Sequence, residues 1–260
     1  MTTYDVDLDA SWSIGNKPHG GYLLATMVER ALDDDHPHPL AVSAHYVASP
    51  DAGPATLEVE RLRTGRSVAS SRVRLSQDGV RVEALVSAGR LTASEPLWTS
   101  AVAPELPPIE DCPRAPAENP AGLRVGQLDH VELRVDLTTA GWAIGQPTGQ
   151  AEVRAWLRRD DGAEASVLDL LVFADALPPV TFNLGLMGWV PTVELTVLVR
   201  ALPAPGWLRA VQRAQLLQDG WLDEVCELWD SEGRLVAQAR QLAGYRVPDG
   251  HILPERTPPA

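Results

Sequence analysis

The chain has 260 residues, 45% of them apolar, enough for one large domain or two of ordinary size. Acidic residues outnumber basic ones 35 to 22, for a net charge of −13. Nucleic-acid binding needs clustered Lys and Arg, so it is excluded as the main role. No apolar run approaches a membrane span, and Met1-Thr2-Thr3-Tyr4-Asp5 lacks the features of a secretory signal, so the expected location is the cytoplasm.

In chain order, Asp5 to Ile14 can supply a strand. Pro18-His19-Gly20-Gly21 then leads into a helix-like segment, Tyr22 to Leu32, with Thr26, Glu29, Arg30 and Asp33 on a polar side. After Pro39, strand-like runs span Leu40 to Ala48, Thr56 to Arg63 and Ser67 to Ser76. The turn Asp78-Gly79 leads to a last run, Val80 to Ser87.

Residues 104 to 120 carry six prolines with little periodicity and read as a linker. The expected organisation is a first domain over 1–103, a linker over 104–122 and a second domain over 123–260. In the second part, Val131 to Leu137 and Gln150 to Arg158 can be strands. A helix-like segment, Val167 to Leu177, precedes Pro191. Runs follow at Thr192 to Arg200, Leu208 to Leu217 and Leu222 to Asp230, then the turn Glu232-Gly233 and Arg234 to Leu242. Neither Cys112 nor Cys226 has an obvious partner, and both read as reduced thiols.

Pro39 and Gly79 lie 40 residues apart, Pro191 and Gly233 42. The repeated order suggests a duplicated unit: a helix followed by a four-stranded antiparallel meander. Val167, Leu168, Leu170, Leu171, Val172, Phe173, Ala174, Ala176 and Leu177 make the second helix apolar on nearly every side, as burial within a wrapping sheet requires. The expected class is therefore α+β, with two fused hotdog domains, each an antiparallel sheet wrapped around a central helix.

Two acids interrupt that helix. Ser166 can cap it, and Asp169 then faces the positive end of its dipole. Asp175 has no such explanation. It stands in the last turn, before Pro178-Pro179, at the negative dipole end and among apolar neighbours. Both effects raise a carboxyl pKa and favour a base. A structural alternative is a pair with Arg200 or Arg240. Gln241 shares an inward strand face with Leu235, Ala237, Ala239 and Ala243, either as a satisfied core amide or as a site residue. Thr192 alternates with Glu194 and Thr196, which by pattern alone points it outward. The N–H groups around Gly20, Gly21 and Tyr22, at a helix start, can receive an oxyanion. No nucleophile elbow, Cys-His pair or metal-ligand spacing is present.

These features resemble the double-hotdog acyl-CoA thioesterases of the thioesterase II type. The resemblance rests on Pro18-His19-Gly20-Gly21, Phe173-Ala174-Asp175, Thr192-Val193-Glu194-Leu195-Thr196, and Leu235-Val236-Ala237 leading to Gln241. It implies that Asp175, Thr192 and Gln241 hold and activate water against an acyl-CoA thioester. CoA then enters only as part of the substrate, with no metal or redox cofactor. A strand irregularity after Pro191 is needed to turn Thr192 inward. Glu194 stands where the family often has Asp, and Met27 where single-hotdog relatives carry their acid. Assembly into a homodimer or higher homo-oligomer is expected. The alternative function is a non-catalytic acyl-CoA or lipid-binding hotdog protein. A hotdog hydratase is disfavoured, because its Asp-x4-His pair is missing.

Overall fold

The computed structural model describes residues 1–118 and 122–254. Pro120 of the expected linker lies outside them. The first half runs β1 (Thr2–Leu8), β2 (Ser13–Ile14), β3 (Lys17–Pro18), α1 (Gly20–Glu29), β4 (His38–Tyr46), β5 (Gly53–Thr64), β6 (Ala69–Ser76) and β7 (Val80–Gly89). The second runs β8 (Val131–Val135), β9 (Glu152–Arg159), α2 (Val167–Phe173), β10 (Thr192–Val199), β11 (Leu208–Gln218), β12 (Trp221–Trp229) and β13 (Leu235–Gly244).

Strands β2 and β3 pair with each other; the other eleven form one sheet, in the order β1-β5-β6-β7-β4-β10-β13-β12-β11-β9-β8. The two halves of this order mirror each other about the β4–β10 seam, with β8 as an added edge strand. At the seam Leu195 lies opposite Ala44 and Val197 opposite Val42, all four buried. Fold class and duplication are as expected, but the units are not simple meanders. Strand β4 pairs with β7, not β5, and β10 pairs with β13, not β11. The reason is that β1 occupies the remaining edge of β5, and β9 that of β11.

Two-residue alternation places one side of each strand on the core: Ala69, Ser71, Val73 and Leu75 in β6, and Leu222, Glu224, Cys226 and Leu228 in β12. The hairpin at Asp219-Gly220, between paired Gln218 and Trp221, has positive φ at both central residues, as a right-twisted two-residue turn requires; Asp78 and Gly79, also with positive φ, lie in a three-residue connection between paired Ser76 and Val80. Residues of the linker lie along β8: the Ala115 N–H donates to the Leu133 carbonyl at 2.8 Å, and the Val135 N–H to that of Pro113 at 3.0 Å.

Both helices sit on the concave side and share one core with the sheet. They pack against each other so closely that a Cβ on Gly21 would lie 2.8 Å from the Leu171 carbonyl oxygen and 3.0 Å from Cα of Val172. Only glycine permits that approach. Helix α2 is shorter than the sequence suggests. It ends at Phe173, and Asp175 and Ala176 continue as a tight turn bonded to the carbonyls of Val172 and Phe173. The paired prolines that follow disfavour further helix. At its start Ser166 caps the helix as expected, Asp169 completes a capping box with it, and Arg159 adds a bond to Asp169 at 3.0 Å. Among the described residues, no helix is long and apolar enough to cross a membrane.

Candidate active site

The start of α1 faces the end of α2, and Asp175 stands in the gap. Its Oδ2 accepts the Gly21 N–H at 2.7 Å and lies 3.4 Å from Nε2 of His19. His19 also bonds the Asp175 carbonyl through Nε2 at 2.8 Å, while its Nδ1 accepts the Tyr22 N–H at 3.2 Å. With Nδ1 accepting, the ring N–H that faces Asp175 is the one on Nε2. The anion thus meets the positive end of α1, which offsets the unfavourable end of α2. Burial pushes the Asp175 carboxyl above its ordinary value, with His19 and the Gly21 N–H pulling partly back. No arginine pairs with Asp175 among the described residues; Arg240 bonds Asp223 instead.

The N–H groups expected to receive an oxyanion have acceptors within the protein. The N–H groups of Gly21 and Tyr22 are already engaged, by Asp175 and His19, and neither is open to an oxyanion in this state. A charged acceptor within reach takes such a donor. Gly20 offers its carbonyl to the Tyr46 hydroxyl at 2.9 Å, and a Cβ there would lie 2.8 Å from Oδ2 of Asp175. Burial, with Asp175 and Glu194 nearby, holds the Tyr46 hydroxyl well above its ordinary pKa, so it stays a donor.

Across the cleft, β10 carries an irregularity at its first residues. Thr192 pairs with Ala243 but Glu194 with Leu242, so Val193 is an extra residue. The bulge brings Thr192 onto the Gln241 face, while Glu194 and Thr196 bond each other and Ser43 elsewhere. The Thr192 hydroxyl donates to Oε1 of Gln241 at 2.9 Å. Nε2 of Gln241 donates in turn to Glu224, whose other oxygen accepts the Val180 N–H at 2.8 Å. Gln241, Glu224 and Gln212 border a small pocket with Ala174, the residue before Asp175. Asp175 is near enough to Glu224 to contribute to its raised pKa, after the larger effect of burial.

The structure joins Thr192 to Gln241 by a hydrogen bond and leaves Asp175 buried without an arginine partner, and it adds Glu224, Gln212, Tyr46 and the bridging bonds of His19, which the sequence reading did not single out. Glu224 had a signal of the same kind as Gln241: one polar residue on an otherwise apolar strand face.

A sheet of this order wrapped around two packed helices is a double hotdog. Residues 8–89 match the family model of the acyl-CoA thioesterase N-terminal domain, and residues 109–245 that of the acyl-CoA thioesterase C-terminal domain. The chain belongs to this acyl-CoA thioesterase family. An uncharacterised protein of Mycobacterium tuberculosis (strain H37Rv) is 33% identical over 92% of this chain and 90% of its own. The crystal structure of a candidate thioesterase II from Thermobifida fusca YX is 32% identical, with a TM-score of 0.85 over 95% of this chain and 93% of that one. A hotdog protein of unknown function from Alicyclobacillus acidocaldarius, 24% identical, shares the fold with a TM-score of 0.81 over 95% and 94% of the two chains.

Proposed function

We propose that this protein hydrolyses acyl-CoA thioesters by general-base activation of water. The observation that carries the reading is Asp175, a buried carboxyl with a raised pKa, next in the chain to Ala174, which borders the same small pocket as Gln241, the partner of Thr192. Asp175 takes a proton from water, whose oxygen bonds to the thioester carbonyl carbon. The C–S bond then breaks, and the proton passes to the departing thiolate or to solvent. Thr192, already donating to Gln241, has lone pairs left to accept a water O–H. The second amide hydrogen of Gln241 can donate to the water oxygen. Once Asp175 is protonated it holds the Gly21 N–H less strongly, and the oxygen that gains charge competes for that donor.

The test is a panel of acyl-CoAs of graded chain length, read by free-thiol release, with Asp175→Asn as the control. Hydrolysis that disappears in a folded Asp175→Asn protein supports the proposal. Acyl-CoA binding without turnover anywhere in the panel replaces it with a binding module.

A further inference from the structure

We infer that Glu224 is a positioning residue: it fixes which way the Gln241 amide faces and braces it against the segment that carries Asp175. This rests on the hydrolytic reading above and adds a residue to its machinery.

The first part follows from donor and acceptor counting. A glutamine amide can face either way, and its neighbours decide. An ionised carboxylate only accepts, so Glu224 draws the Nε2 side of Gln241 toward itself. Oε1 is then left toward Thr192, whose hydroxyl must donate to it. The Thr192 lone pairs face away from that bond and can receive a water proton. One carboxylate thereby sets the polarity of the whole run from β12 through β13 to β10. Without it, the two orientations of Gln241 come closer in energy, and the flipped one turns the Thr192 hydroxyl into an acceptor from Gln241.

The second part follows from the other oxygen. Oε1 of Glu224 accepts the N–H of Val180, in the same short segment as Asp175. Gln212 reaches the Pro178 carbonyl at 3.4 Å, and Gln127 the Ala176 carbonyl at 3.1 Å. Three side chains therefore hold the backbone between the base and Val180, and only Glu224 also bonds Gln241. Stability alone does not account for it. Glu224 is 2% exposed between Leu222 and Cys226 on its strand face, where an apolar residue would avoid desolvating a charge.

The experiment combines kinetics and side-chain NMR. Glu224→Gln keeps the shape but offers one amide oxygen where Glu224 offers two carboxylate oxygens to the N–H groups of Val180, Gln241 and Gln212. A small misplacement of reacting groups can cost ~10²-fold, so kcat should fall by roughly 10- to 100-fold. KM should stay within about twofold, because the binding groups are unchanged. In a Gln241→Ala background the same substitution should have a much smaller effect on kcat, because only its hold on the Val180 N–H is left to lose. Effects that multiply, or an unchanged kcat in folded Glu224→Gln, would overturn the inference. In the wild-type protein, the Gln241 side-chain amide protons should exchange slowly with solvent, and in Glu224→Gln rapidly. Fast exchange in the wild type overturns the inference without any variant. If the wild type hydrolyses no acyl-CoA, the hydrolase reading falls, while the exchange measurement still decides whether Glu224 holds Gln241.

Discussion

Gly21 donates its N–H to Oδ2 of Asp175 across 2.7 Å, so the first turn of one helix holds the carboxyl that follows the other. The two residues are far apart in sequence, and neither half of the chain contains the arrangement by itself. The raised pKa of Asp175 is thus a balance: burial pushes it up, while the Gly21 donor and His19 keep an ionised form accessible.

Adjacent glycines should respond differently to the same change. Ala at position 20 would meet the movable end of the Asp175 side chain at 2.8 Å, whereas Ala at position 21 would meet backbone of α2 at 2.8 and 3.0 Å. Gly20→Ala should leave the melting temperature nearly unchanged and lower kcat by up to ~10²-fold. Gly21→Ala should destabilise the fold by roughly 1–3 kcal/mol. Thermal melts and thiol-release rates on both variants check this; equal stability losses would contradict it.

Asp175→Asn retains the shape of the side chain but cannot take the proton. Hydrolysis should fall by roughly 10²–10⁴-fold. The wild-type rate should climb with pH through the raised Asp175 value, and any residual rate in the variant should lack that limb. A folded variant with full activity would remove Asp175 from the chemistry.

The hydroxyl of Thr192 should matter more than its methyl. Thr192→Ser preserves the bond to Gln241, and its rate should stay within about threefold of wild type. Thr192→Val leaves a part-buried amide oxygen without its donor, costing about 1–3 kcal/mol in stability, and should reduce kcat far more. Equal rates for the two variants would mean that the hydroxyl plays no part.

Asp175 and Glu224 both have raised pKa values, chiefly through burial, above ordinary values of 3.8 and 4.5. The native state therefore binds these protons more tightly than the unfolded chain. Their stabilising contribution is complete below the ordinary values and is lost as pH rises through the raised ones. Urea midpoints across pH should show Asp175→Asn and Glu224→Gln gaining on the wild type as pH increases. A difference that is flat or narrows would contradict the assignment.

Much of this architecture was legible from alternation and turn chemistry, because strands with one buried face must keep a two-residue period. The same rule misplaced Thr192, since a single extra residue at Val193 reverses which side follows, and alternation carries no mark of a bulge. The resemblance to a family supplied what the pattern could not. The oxyanion assignment to Gly21 and Tyr22 considered the helix start in isolation. It did not show that the packing of α1 on α2 brings Asp175 and His19 to accept those two N–H groups. The pairing of β4 with β7 was equally invisible, because it depends on β1 claiming the edge of β5.

The mirrored order of the sheet implies two meetings of helix ends, and the chain treats them differently. At one, Gly21 and His19 face a buried carboxyl, Asp175, whose pKa burial raises. At α2's own start, Ser166, Asp169 and Arg159 satisfy one another in a capped, ion-paired helix start. Two identical subunits would carry the same residues at both meetings, so every change made for chemistry would also fall on its twin. A fused chain has no such obligation: its halves can diverge, so that the start of α1 binds Asp175 while the start of α2 is closed by its own cap.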